Sequence, residues 1–145
     1  MQAHKILLPV LALLVAACVP QVPETPGPKG GTAASTAEEG TEEVLKQAAQ
    51  ADSTGAALVR YGEWLLDRSR DRDVLEEIPA TSPLYYLHFL RGVAAERLGL
   101  LDEARLAYGR YTAYSATTPA PPRFRIPGSR LQAEAGIRFE ESGGG

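Results

Sequence analysis

The chain predicts an all-α fold, a short helical-repeat array or a small bundle, and three observations carry that expectation. Apolar residues in the central stretch, residues 82–118, recur at three- and four-residue spacing, the period of a helix with a buried face. Helix punctuation surrounds them: Ser82-Pro83 in front, Gly99 between two halves, and the Pro119, Pro121, Pro122 run behind. A second helical pattern, from about Ala56 to Arg68, precedes them, with Leu58, Tyr61 and Leu65 on one stripe and Trp64 beside it.

The central stretch reads as two antiparallel helices joined by a tight turn. Ser82 can accept from the free amides of the first turn, and Pro83 suits the first helical position. Leu84, Leu87, Leu90, Ala94 and Leu98 then form one apolar stripe, and Tyr86, Phe89 and Val93 form another. A helix apolar on two sides is expected between neighbours. Its narrow polar face keeps His88, Arg91 and Arg97. Gly99 ends it, and Asp102 and Glu103 place negative charge in the first turn of the next helix, where the dipole favours it. Ala104, Ala107, Tyr108, Tyr111 and Tyr114 are expected on one side of that second helix.

Residues 83–118 resemble a tetratricopeptide repeat. The matching pieces are Gly92 and Ala94 in the first helix, Leu98-Gly99 at the turn, Asp102-Glu103-Ala104 opening the second helix, and Tyr108 within it. In that family small residues let the two backbones approach and large ones fill the gap between repeats. The chain departs from the pattern at His88, where an aromatic is usual, at Arg91, where leucine is usual, and in its late proline. Shifting the pattern back by 30 to 34 residues matches poorly, so an upstream repeat, if there is one, is degenerate.

The amino terminus carries a different signal. Met1 to Lys5 is a short basic start and Ile6 to Ala16 an apolar run, too short to span a bilayer and of the length of a signal-peptide core. It ends in Val15-Ala16-Ala17-Cys18, which resembles the bacterial lipobox. The resemblance implies a leader, residues 1–17, cut before Cys18, whose thiol carries a diacylglycerol and whose new amino group is acylated, palmitate being the usual chain. Two or three acyl chains anchor a protein firmly, at about 0.8 kcal/mol per buried methylene. Cys18 is the one cysteine, so no intrachain disulfide forms. Val19 in place of aspartate points, by the sorting rule of enteric bacteria, to the outer rather than the inner membrane, with the domain on the periplasmic face of the envelope.

Residues 18–40 follow as a disordered linker of proline, glycine, threonine and alanine that reaches on the order of 25 Å. Folded material is expected over residues 41–118, beginning at Thr41-Glu42-Glu43 with Val44, Leu45, Ala48 and Ala49 as a weak apolar face, and interrupted at Ser53-Thr54-Gly55. Arg68 to Asp73 alternates in sign and reads as a solvated helix end. A short helix with Val74, Leu75 and Ile78 inward runs up to Pro79. Residues 119–145 begin as a basic, Pro-rich loop. Ser129 then caps a covering helix, residues 129–141, with Leu131, Ala135 and Phe139 four apart, before a disordered glycine tail.

Nothing in the pattern points to catalysis, a cofactor or a metal, and the chain is not expected to be an enzyme or to take a small-molecule substrate. After loss of the leader His88 is the one histidine. There is no HExxH, no Gly-rich phosphate loop and no paired ligand spacing. The acid pairs Glu42-Glu43, Glu76-Glu77 and Glu140-Glu141 are adjacent, and neighbours on a helix diverge by about 100°. The formal charge is −3, and removing the one positive charge of Lys5 with the leader makes it −4, which argues against nucleic acid. The six tyrosines do hint at binding, since tyrosine joins a large apolar ring to a polar tip. Tyr85, Tyr86, Tyr108, Tyr111 and Tyr114 either fill the core of an undersized stack or line an exposed groove for a partner. The expected function is that of an envelope lipoprotein acting as a protein–protein adaptor or scaffold in an outer-membrane or secretion assembly. The alternatives are a structural lipoprotein whose Arg123, Arg125 and Arg130 touch an anionic polymer such as peptidoglycan, and an accessory or inhibitory subunit of an envelope enzyme.

Overall fold

A computed structural model of the chain describes residues 32–141, with side chains from residue 37. Six α-helices lie within them: α1 (Thr32–Ala51), α2 (Ala56–Asp67), α3 (Asp71–Glu77), α4 (Tyr85–Arg97), α5 (Leu101–Tyr114) and α6 (Arg130–Glu134). A single 3-10 turn, Pro122–Phe124, separates α5 from α6. The only β pairing among the described residues is an isolated parallel bridge between Ala120 and Phe139. The all-α expectation therefore holds. The expected leader, Cys18, the expected linker up to residue 31 and the expected glycine tail lie outside the described residues.

Neighbouring helices pack in sequence, α1 on α2, α2 on α3, α3 on α4 and α4 on α5, and α2 also touches α4. The most extensive pairing is α4 with α5. The helices α2 and α3 thus form a first hairpin stacked against the second, α4–α5, although α3 is only half as long as α5. A glycine marks the same point of each leading helix. A Cβ added at Gly92 would stand 2.4 Å from the Tyr108 ring, and one at Gly62 would stand 2.6 Å from Ile78 Cδ1. Both contacts are closer than atoms can approach, so glycine is what lets the helices come together there.

Three helices end in the same way. After α4 the amide of Leu100 donates to Ala95 O (2.8 Å) and that of Gly99 to Glu96 O (3.0 Å), with Gly99 at φ +76°. This 6→1 plus 5→2 arrangement is the Schellman motif. It recurs after α6 around Gly136 and after α2 around Ser69, the one described non-glycine residue at positive φ (+56°).

The helix α4 is the centre of the molecule. All nine residues from Leu87 to Ala95 are buried, His88 and Arg91 among them. The expected polar face is therefore inside, and its charges have a structural task. Arg91 donates to Leu75 O (2.8 Å) and to Ile78 O, taking up carbonyls that the short α3 leaves without partners, and pairs with Glu103 of α5. Arg97 reaches the end of α2, donating to Leu66 O (3.0 Å), which also accepts from Ser69 N, and to Asp71 (3.2 Å). Around Phe89 the rings of Tyr86, Tyr108, Tyr111, Phe124 and Phe139 gather at centroid distances of 5.2–6.4 Å.

The structure corrects the expected boundaries. α1 starts at Thr32, inside the stretch read as linker, and Thr41 is not a cap but lies mid-helix, its hydroxyl donating to Ala37 O (2.9 Å). The alanine and glutamate between Thr32 and Thr41 favour helix and no proline interrupts them. α4 starts at Tyr85, with Leu84 extended before it and the Ser82 hydroxyl accepting from Leu84 N (3.2 Å), so Pro83 lies outside the helix. Leu98 sits exposed at the turn rather than in the core stripe. The covering helix over 129–141 shrinks to α6. Ser129 caps it, accepting from Gln132 N (3.0 Å), but Gly136 turns the chain at φ +67°, and the rest runs back extended beside Ala120. Leu131, Ala135 and Phe139 still reach the core, from a helix, a turn and a bridge respectively.

Candidate docking surface

The five tyrosines singled out from the sequence divide three ways. Tyr108 and Tyr111 belong to the core, at 0% and 2% exposure, and cannot line an open groove. Their hydroxyls fasten the carboxy-terminal segment to the hairpin. Tyr108 donates to Glu96 (2.8 Å) and accepts from Gln132 Nε2 (3.1 Å), and Tyr111 donates to Thr118 O (2.9 Å). Gln132, itself buried, also donates to Phe124 O (3.1 Å) and accepts from Ile126 N (3.0 Å), so each polar atom of its amide is used. Burial first, and the Glu96 carboxylate with it, pushes the Tyr108 hydroxyl far above the ordinary phenol range, so it stays a protonated donor.

Tyr85 and Tyr86 are half-buried. They line a hollow of about 280 Å³ with Val59 and Leu84, and Tyr86 donates to Glu63 (2.9 Å). Tyr114 alone is free, at 76% exposure. Helix geometry separates it from its neighbours: it follows Tyr111 by three residues but lies beyond the edge of the face that Ala104, Ala107, Tyr108 and Tyr111 bury.

Tyr114 stands at one end of a wide concavity. That depression, of about 550 Å³, runs along the outer face of α5 over Leu106, Gly109 and Ala113. Leu106 is 57% exposed, and nothing lies within 4 Å of where a Gly109 side chain would begin. Two further depressions adjoin it and share Arg110: one of about 420 Å³ against the loop Ala80–Pro83, and one of about 340 Å³ reaching Arg91 and Glu103. His88 borders both. Its imidazole is held below the ordinary histidine value, by burial first and then by the neighbouring Arg110 and Arg91 charges, so it is neutral at pH 7. Arg110 donates to Ala80 O and makes no ion pair among the described residues.

The α5 face gives only a weak signal in the sequence, because one apolar residue among charges does not distinguish a docking face from an ordinary surface. The signal present was Leu106 standing alone between Asp102 and Arg110, one helical turn from each.

The three arginines read as a polymer contact are engaged within the chain. Arg123 pairs with Glu63 (2.9 Å) and Asp67 (3.7 Å), Arg125 lies 4.5 Å over the Phe139 ring, and Arg130 pairs with Glu134 (3.6 Å). Among the described residues no three acids, histidines or cysteines are placed to hold a metal ion, and no helix is long and apolar enough to cross a membrane. Cys18, expected from the sequence to carry the lipid, lies outside the described residues. No protein-family model matches the chain, and no curated protein or solved structure matches it significantly.

Proposed function

We propose that this chain is a membrane-anchored envelope lipoprotein that serves as a protein–protein adaptor, holding a helical domain near the outer membrane and presenting the outer face of α5. The observation that carries the docking half is the apolar strip of Leu106, Gly109, Ala113 and Tyr114, open to solvent on a helix whose other face is fully packed. Surface leucines are common singly, but a continuous apolar strip beside a cleft is where partners bind. The anchoring half rests on the lipobox-like Val15-Ala16-Ala17-Cys18 and the Pro/Gly-rich stretch after it. The order of packing supports reading α2–α3 and α4–α5 as successive tetratricopeptide-like units, with Gly62 and Gly92 thirty residues apart at equivalent close approaches. The shortness of α3 accounts for the poor sequence match of the first unit.

Each half has its own test. A Cys18→Ser chain is expected to lose its palmitate label and to move from the membrane fraction to the soluble one; unchanged membrane retention removes the anchor. A Leu106→Glu, Tyr114→Ala chain is expected to keep its helix content by circular dichroism. It should also lose the chemical cross-links that the parent chain forms with neighbouring protein in the native envelope. Cross-links that persist in that variant remove the α5 face as a docking site.

A further inference from the structure

Resting on that docking reading of α5, we propose that the face receives a second copy of this chain, its own α5 lying antiparallel across a two-fold axis close to Leu106. The argument is the order of charge along one row. Asp102, Leu106 and Arg110 follow each other at four-residue steps and so form one ridge on the helix surface, with Leu106 at its midpoint and each charge about 6 Å away along the axis. The order acid, apolar, base becomes its own complement when reversed. Two such ridges running in opposite senses set Asp102 beside the partner's Arg110, and Arg110 beside the partner's Asp102, with the leucines in contact between them. A two-fold interface requires this kind of self-complementarity, each residue i meeting j while j meets i.

The surroundings suit that geometry. The adjoining row holds Gly109 and Ala113, a shallow groove into which an opposing ridge can settle, as when the four-residue ridges of two helices interdigitate. Arg110 has no carboxylate partner among the described residues, and its neighbour His88 is uncharged, so the site lacks one negative charge. Asp102 is fully exposed and, among the described residues, pairs with Arg105 alone, an exposed pair at 2.9 Å that exchanges partners readily. A contact confined to one helix face falls at the small end of interfaces, below about 1,200 Å² in total. Chains tethered to one membrane meet at raised effective concentration, which lets so small a contact form.

The test places the photoreactive residue p-benzoylphenylalanine at Leu106 in the full-length chain, irradiated in its native membrane. The expected product is an adduct of two copies. Either Asp102→Arg or Arg110→Asp alone should cut it by roughly fivefold or more, because each puts like charges together at both ends of the contact. The double variant Asp102→Arg, Arg110→Asp should restore it, which separates lost complementarity from lost folding. A two-copy adduct indifferent to these charges, or one the double variant fails to restore, overturns the antiparallel pairing. An adduct only with some other protein overturns the second copy and leaves the docking reading standing. No adduct of any kind overturns both.

Discussion

The α4–α5 hairpin and the α1 helix are held by different forces. α4 is enclosed from Leu87 to Ala95, and its contacts are mainly aromatic and aliphatic, with Arg91 as the buried charged exception. α1 touches the body along a narrow line: of its described side chains only Glu42, Leu45, Lys46 and Ala49 are half-buried, and Val44 is 66% exposed. Charge does much of the fastening there, through Glu42 with Arg70, Lys46 with Glu77, and the longer Glu38–Arg68 contact at 3.8 Å. Buried apolar area has no charge for salt to screen and is little affected by acid. Half-exposed ion pairs are sensitive to both and contribute under about 1 kcal/mol each. One domain therefore combines a robust centre with a conditional edge.

The largest effect expected is at the centre. Phe89→Ala removes the ring on which five others converge, and should lower unfolding free energy by about 3–5 kcal/mol, read from the denaturant midpoint. A loss under about 1 kcal/mol would mean the aromatic cluster is not what holds the hairpin.

Gly92→Ala comes next. The added methyl meets the Tyr108 ring, which cannot swing away because Glu96 and Gln132 hold its hydroxyl, and overpacking of this kind costs about 1–3 kcal/mol. Gly109→Ala on the open face of the partner helix is the control and should be neutral or stabilising by up to about 1 kcal/mol.

Ser69→Gly acts between the two regions, at the turn that positions Arg70 for its pairing with α1. An L-residue in the left-handed region costs about 1–2 kcal/mol, and glycine gives back roughly half of that in chain entropy. The variant should therefore be more stable by about 0.5–1 kcal/mol, and no change in melting temperature would count against strain there.

The smallest effect belongs to α1. Arg70 holds the Glu42 carboxyl below its ordinary value of 4.5, chiefly by donating to it. Because the folded value is the lower one, this contribution is complete above about pH 4.5 and disappears as pH falls through the depressed value. Hydrogen exchange should show α1 amides losing protection in acid or at high salt while α4 keeps its own. Glu42→Gln should give the same loosening at neutral pH, under about 1 kcal/mol in size. Equal loss of protection in both helices would erase the distinction between them.

Periodicity and punctuation alone were enough to place the α4–α5 hairpin, its glycine turn, the break at Ser53-Thr54-Gly55 and the all-α class, because each rests on contacts within a few residues. That Gly92 is a small residue at a helix approach was implied only by the tetratricopeptide resemblance, and that it faces Tyr108 was decided by the packing. Periodicity and punctuation misplaced whatever depends on residues far apart. His88 and Arg91 looked like a polar face yet are interior, and for Arg91 the reason is that α3 leaves carbonyls that a guanidinium thirteen to sixteen residues away can reach. Leu131, Ala135 and Phe139 looked like one helix, and reached the same core by three conformations once Gly136 turned the chain. Five tyrosines of similar local setting became two core residues, two half-buried ones and one free ring. Burial is a property of what packs on a side chain, and a single helix does not carry that information.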